Sequence, residues 1–175
     1  MILKPQDVVV LLKLVALGGQ PWTFQRLAVE LSLSQSEAHA GVKRAVAARL
    51  MTSASSADGR PVRAALLEFL VHGVKYAFPP ERGQLTRGVP TGYAAPPLDQ
   101  SISGSGEPPP VWPYAEGKVR GYAFAPLYRT VPQAALRDAA LYELLALVDA
   151  VRDGRARERA LAQKALEKRL GADAG

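Results

Sequence analysis

Thr23-Phe-Gln-Arg-Leu-Ala-Val-Glu-Leu31 and Ser34-Gln-Ser-Glu-Ala-His-Ala-Gly-Val-Lys-Arg-Ala45, with only Ser32 and Leu33 between them, decide how this chain folds. Thr23 is a strong helix N-cap, and Trp22 before it can staple onto Leu27. Leu27, Ala28 and Leu31 then share one helical face. Ser34 caps a second helix, and Glu37 three residues on completes a capping-box pattern. Two helices joined by so short a turn must cross steeply, which projects the second one away from the body.

The projecting helix, read as Gln35 to Met51, is two-sided. Ala38, Val42, Ala45, Val46 and Leu50 form an apolar side. Gln35, Ser36, His39, Lys43 and Arg44 form a polar and basic side, able to hydrogen-bond base edges or phosphates. The segment from Thr23 to Met51 resembles the helix-turn-helix of bacterial winged-helix regulators of the MarR-like superfamily. Leu27, Ala28, Leu31, Leu33, Ala38, Val42 and Ala45 carry the apolar pattern of that resemblance. Ser32 stands where such turns usually have glycine, and Gly41 lies inside the second helix, where it costs about 1 kcal/mol relative to alanine. The resemblance implies a double-stranded DNA partner, a recognition helix starting at Ser34, and a basic β-wing after it. Thr52 to Arg63 offers only a short wing with an Asp58-Gly59 turn, where Arg60 and Arg63 are candidate phosphate contacts. Thr23, at the mouth of the first helix, joins them.

Working outward, Gln6 to Leu17 reads as an apolar helix, and Pro61 to Gly73 as another with Pro61 in its first turn and Gly73 at its exit. Val74 to Phe78 reads as a short strand. Eleven of the fourteen prolines fall between Pro79 and Pro132, so the middle is not helical. The Ala94–Pro113 stretch, with Ser101-Ile-Ser-Gly-Ser-Gly106, predicts a loop that is mobile at least in part. Val111–Ala115 and Val119–Phe124 predict a hairpin. Gln133–Val151 has helical apolar spacing, and a charged helix follows from about Arg155 to Leu170, with Leu161, Ala162, Leu166 and Leu170 as a narrow stripe suited to docking on another helix.

The fold class expected is therefore mainly α with a small β component. Three stretches compose it: a helix-turn-helix unit over 1–78, a Pro/Gly-rich irregular and β segment over 79–132, and C-terminal helices over 133–175 that contact a second copy or another protein.

Charge and composition narrow the function. The net charge is +6, with six Lys/Arg against three Asp/Glu in residues 1–51, nine against nine in 52–151, and seven against four in 152–175. The basic excess sits at the ends, where an anionic partner would meet it. There is no cysteine, and the two histidines are far apart, so disulfides, thiolate chemistry and a histidine metal centre are not expected. No catalytic set of carboxylates or Ser/His/Asp appears at a recognisable spacing. No enzyme activity, cofactor or metal is expected. Asp7 and Lys13 interrupt the apolar run near the start, which argues against a signal peptide or membrane span and for a soluble, cytoplasmic protein.

Together these features predict a transcriptional regulator that reads duplex DNA as a homodimer, since one recognition helix covers only a half-site. The alternative is a protein-interaction module, such as an antitoxin, that restrains a partner through the C-terminal helices and autoregulates through its helix-turn-helix.

Overall fold

Helix α1 (Pro5–Ala16) is buried from Asp7 to Val15, which is why its sequence is apolar on every side. It starts with Pro5 in the first turn, and the Lys4 N–H donates to Asp7 at 2.8 Å. A computed structural model of residues 1–171 places the other helices around it. Residues 172–175, the end of the expected C-terminal stretch, lie outside the described residues. Helix α2 (Phe24–Leu31) and helix α3 (Gln35–Ala47) pack on α1 from the N-terminal half of the chain.

Two charges inside α1 are matched by partners from elsewhere. Asp7, fully buried, receives both Nε (2.7 Å) and Nη2 (2.9 Å) of Arg44 on α3. Lys13 Nζ reaches Glu30 at 2.9 Å and Asp138 at 2.7 Å, tying α1 to α2 and to the start of α7 (Ala139–Asp153). The Lys13 hydrogen bond holds the Glu30 carboxyl below its ordinary value. Burial pushes Asp138 up, but Lys13 and the backbone N–H of Leu141 outweigh it and leave that carboxyl lowered as well.

After α3, Thr52 N–H donates to Arg60 C=O and Val62 N–H to Leu50 C=O around a single Met51–Pro61 bridge. The short wing expected there is one antiparallel rung. Helix α4 (Arg63–Glu68) runs on through a π-turn (Phe69–Gly73) into α5 (Val74–Ala77). The strand expected at Val74–Phe78 is thus helical. Gly73 does not terminate the helix, because its missing side chain makes room for the Phe69 ring: a Cβ there would lie 2.8 Å from Phe69 Cδ2.

Strand β1 (Arg82–Pro90), which the sequence pattern does not announce, organises the middle. It runs antiparallel to both β2 (Pro110–Pro113) and β3 (Val119–Phe124), with Val89 opposite Trp112 and Arg87 opposite Arg120, and the three close into a small barrel. β2 and β3 are consequently parallel, not the antiparallel hairpin expected. Glycine permits the tight closure: a Cβ on Gly88 would sit 2.0 Å from Trp112 O, and one on Gly121 2.0 Å from Pro109 O. The Pro-rich stretch between β1 and β2 is not irregular throughout. Two 3-10 turns (Gly92–Ala94 and Leu98–Gln100) bury Ala95 and Leu98 against the body.

The expected C-terminal helix from Gln133 is two helices, α6 (Val131–Arg137) and α7, broken at Asp138, whose carboxylate caps α7 through Leu141 N–H at 3.1 Å. α8 (Ala156–Gly171) lays Ala162, Leu166 and Leu170 on α7 and α4, so its apolar stripe docks within the same chain. Asp149 of α7 is the polar centre of this half. Its Oδ2 accepts from Thr91 Oγ1 and Trp112 Nε1, both at 2.7 Å, and its Oδ1 from Arg152 Nη1 at 2.8 Å. Side chains from all three stretches belong to one hydrophobic cluster. The chain is mainly helical with a small three-stranded sheet, as the sequence predicts.

Candidate nucleic-acid interface

The α2–α3 turn is built from two capped ends. Thr23 Oγ1 accepts from Arg26 N–H at 3.0 Å, opening α2. At its close Ser32 takes the left-handed conformation (φ +56°), and Leu33 N–H returns to Ala28 C=O at 2.9 Å, satisfying a terminal carbonyl. Ser32 therefore does the conformational work of the glycine usual in such turns. Left-handed backbone costs a non-glycine residue about 1–2 kcal/mol. Ser32→Gly is expected to raise the unfolding free energy by about 0.5–1 kcal/mol in urea titration, and Ser32→Val to lower it. Equal midpoints for all three would show that the turn does not need this conformation.

Ser34 Oγ accepts from Glu37 N–H at 3.0 Å and opens α3. The Glu37 carboxylate lies 3.7 Å from Arg129 in the segment after β3, bringing a mostly exposed guanidinium beside this helix start. α3 ends at Ala47, short of the expected Met51, because Arg49 turns left-handed (φ +63°) and Leu50 N–H closes back on Ala45 C=O at 2.9 Å.

On the outer side of α3, Gln35, Ser36, His39 and Lys43 are all exposed, as is the cap Ser34. Gln35 and Lys43 have no side-chain hydrogen bond or ion pair among the described residues. His39 is oriented by Phe24, ring centroids 4.7 Å apart, and Phe24 in turn meets Trp22 edge-on. The Trp22 indole N–H donates to Gly59 C=O at 3.1 Å and pins the reduced wing against the turn. Arg60 remains exposed beside it, its guanidinium on Gly59 C=O at 2.7 Å.

Two expected contacts are elsewhere. Arg44 does not belong to the outer side; it turns inward to Asp7, and its side chain is only 14 % exposed. The reason lies next to it: Gly41 lets α3 approach α1 so closely that a Cβ would stand 3.1 Å from Asp7 Oδ1. Hydrogen bonding to Asp7 raises the Arg44 pKa further, so the guanidinium stays charged. Arg63 is likewise engaged, its guanidinium on the C=O groups of Arg169 and Leu170 at the end of α8. Both are structural cations.

Arg49 and Arg129 are the cations near α3 that the pattern misses. Arg49 was readable as a charge at a helix end. Arg129, far away in sequence, is placed by the fold alone. Among the described residues no group of His, Asp and Glu side chains is arranged to hold a metal, and no helix is long and apolar enough to cross a membrane. Comparison with family models, curated proteins and solved structures found no match to this chain.

Proposed function

We propose that this protein is a transcriptional regulator that binds double-stranded DNA with sequence preference, inserting α3 into the major groove. The observation that carries the reading is the exposed row Gln35, Ser36, His39 and Lys43 on a helix held out by a capped three-residue turn. Gln35 and Ser36, at the helix start, are placed for base edges; Lys43 and Arg60 for phosphates. Thr23 and Ser34 fix the two helix starts that approach the backbone. A two-fold dimer would present two such helices one DNA turn apart, about 34–36 Å. The restraint of a protein partner through the C-terminal stripe has less support, because that stripe is covered by α4 and α7.

The test is fluorescence anisotropy with genomic duplex fragments at two salt concentrations, together with light scattering for the oligomeric state. Lys43→Ala is expected to weaken all duplexes alike and to reduce the salt slope by about 1. Gln35→Ala is expected to cost about 1–3 kcal/mol at the preferred site alone. Duplex binding that both variants leave untouched would falsify the assignment of α3.

A further inference from the structure

The β1–β3 ribbon carries an arrangement that folding alone does not favour. Arg87 on β1 stands directly opposite Arg120 on β3, and like charges in that position destabilise a sheet. Both are exposed, and neither has a carboxylate partner among the described residues. One step along the same face, Leu85 is paired with Tyr122, each left 42 % exposed. Residues two apart on a strand share a face, so Leu85 and Arg87 lie beside Tyr122 and Arg120 on one outward surface, with Lys118 just before β3. The surface joins paired cations to an open aromatic ring.

Tyr122 is also on the rim of a cleft of about 450 Å³ between the barrel, the 102–110 segment and the start of α8. That volume is within the range of small-ligand sites. Three carboxylates line the cleft: Asp153 pairs with Arg82 at 2.7 Å, Glu158 accepts from the Arg155 N–H at 2.8 Å, and the exposed Glu107 lies 3.8 Å from the Arg155 guanidinium. Arg157 has no carboxylate partner among the described residues. Burial, then the charges of Glu158 and Glu107, raises the Tyr93 pKa, so its hydroxyl stays protonated and able to donate. Such mixed donors and acceptors suit the edge of a heterocycle better than a phosphate. The phosphate-binding chemistry is on the ribbon outside.

We propose that this face binds a single strand of nucleic acid, with Arg87 and Arg120 on successive phosphates, one base stacked on Tyr122, and a neighbouring base entering the cleft. Cations that track a backbone beside an aromatic platform are the general solution for unpaired strands, since every base has a stackable face. The opposed arginines, repulsive in the free protein, are relieved when phosphates lie between them. This site is distinct from the α3 surface and does not depend on the duplex reading.

The test uses the full-length protein and a fluorescein-labelled oligodeoxythymidylate of about fifteen nucleotides, the upper range of such site sizes, read by anisotropy at two salt concentrations. Tyr122→Leu is expected to weaken binding about 5- to 100-fold, while Tyr122→Phe retains it. Arg87→Gln with Arg120→Gln is expected to reduce the salt slope by about 1.4, two single-strand phosphates. Gln35→Ala with Lys43→Ala should leave oligonucleotide affinity unchanged, which separates this site from α3. The proposal is overturned if the oligonucleotide does not bind at low salt, or if the ribbon variants bind it as the parent does. It is also overturned if polyglutamate displaces it at equal charge concentration, since that would mark a surface for acidic polypeptides.

Discussion

Asp149→Ala is expected to lower the unfolding free energy by about 3–5 kcal/mol, the cost typical of removing one partner from a buried charged pair. The carboxylate is 2 % exposed and is the common acceptor for groups from three parts of the chain. Its loss leaves the Arg152 guanidinium, the Trp112 indole N–H and the Thr91 hydroxyl short of an acceptor, and each uncompensated buried donor carries its own desolvation penalty. Arg152 keeps a bond from Nε to Phe78 C=O at 2.9 Å, which limits the damage without replacing a counter-charge. The measurement is urea denaturation followed by tryptophan fluorescence and circular dichroism. A double-mutant cycle with Arg152→Met should return a coupling of about 0.5–3 kcal/mol. A loss under 1 kcal/mol in the single variant would mean that Asp149 is not the joint between α7 and the barrel.

The same residue explains what was legible and what was not. α1, α2 and α3 were readable because local signals set them: Thr23 and Ser34 cap their own helices, and the apolar spacing matches one helical face. The barrel was not, because its closure depends on Gly88 and Gly121 admitting backbone from segments distant in sequence. β1 contains Arg, Gln and two glycines and lacks a β-branched run, so strand propensity was silent there. Without β1, two neighbouring strands look like a hairpin, although β1 makes them parallel. Asp149 and Arg152, i and i+3 in an apolar run, did carry a signal: a charge amid buried residues demands a partner.

Asp7 and Lys13 carried the same signal within α1, and it separates the cations of α3 into two kinds. A polar helix face assigned by spacing alone includes Arg44. A buried Asp7 in the adjacent helix removes it, because a bidentate carboxylate inside the protein outcompetes water and leaves no guanidinium for a phosphate.

The last expected result follows from that separation. Asp7→Ala should cost about 3–5 kcal/mol in unfolding free energy, since it strands Arg44 and the Lys4 N–H where α1 and α3 touch. Arg44→Met alone should also destabilise, by leaving Asp7 unpaired, and the double variant Asp7→Ala with Arg44→Met should recover part of the loss, because an uncharged pair of similar volume can replace a buried ion pair. Duplex binding by the folded protein distinguishes anchor from contact. At a temperature where Arg44→Met is still folded, its salt slope should equal that of the parent, whereas Lys43→Ala should keep the parent's stability and lose about 1 from the slope. If Arg44→Met instead keeps full stability and reduces the slope, Arg44 faces the nucleic acid and the Asp7 pairing is not what positions α3.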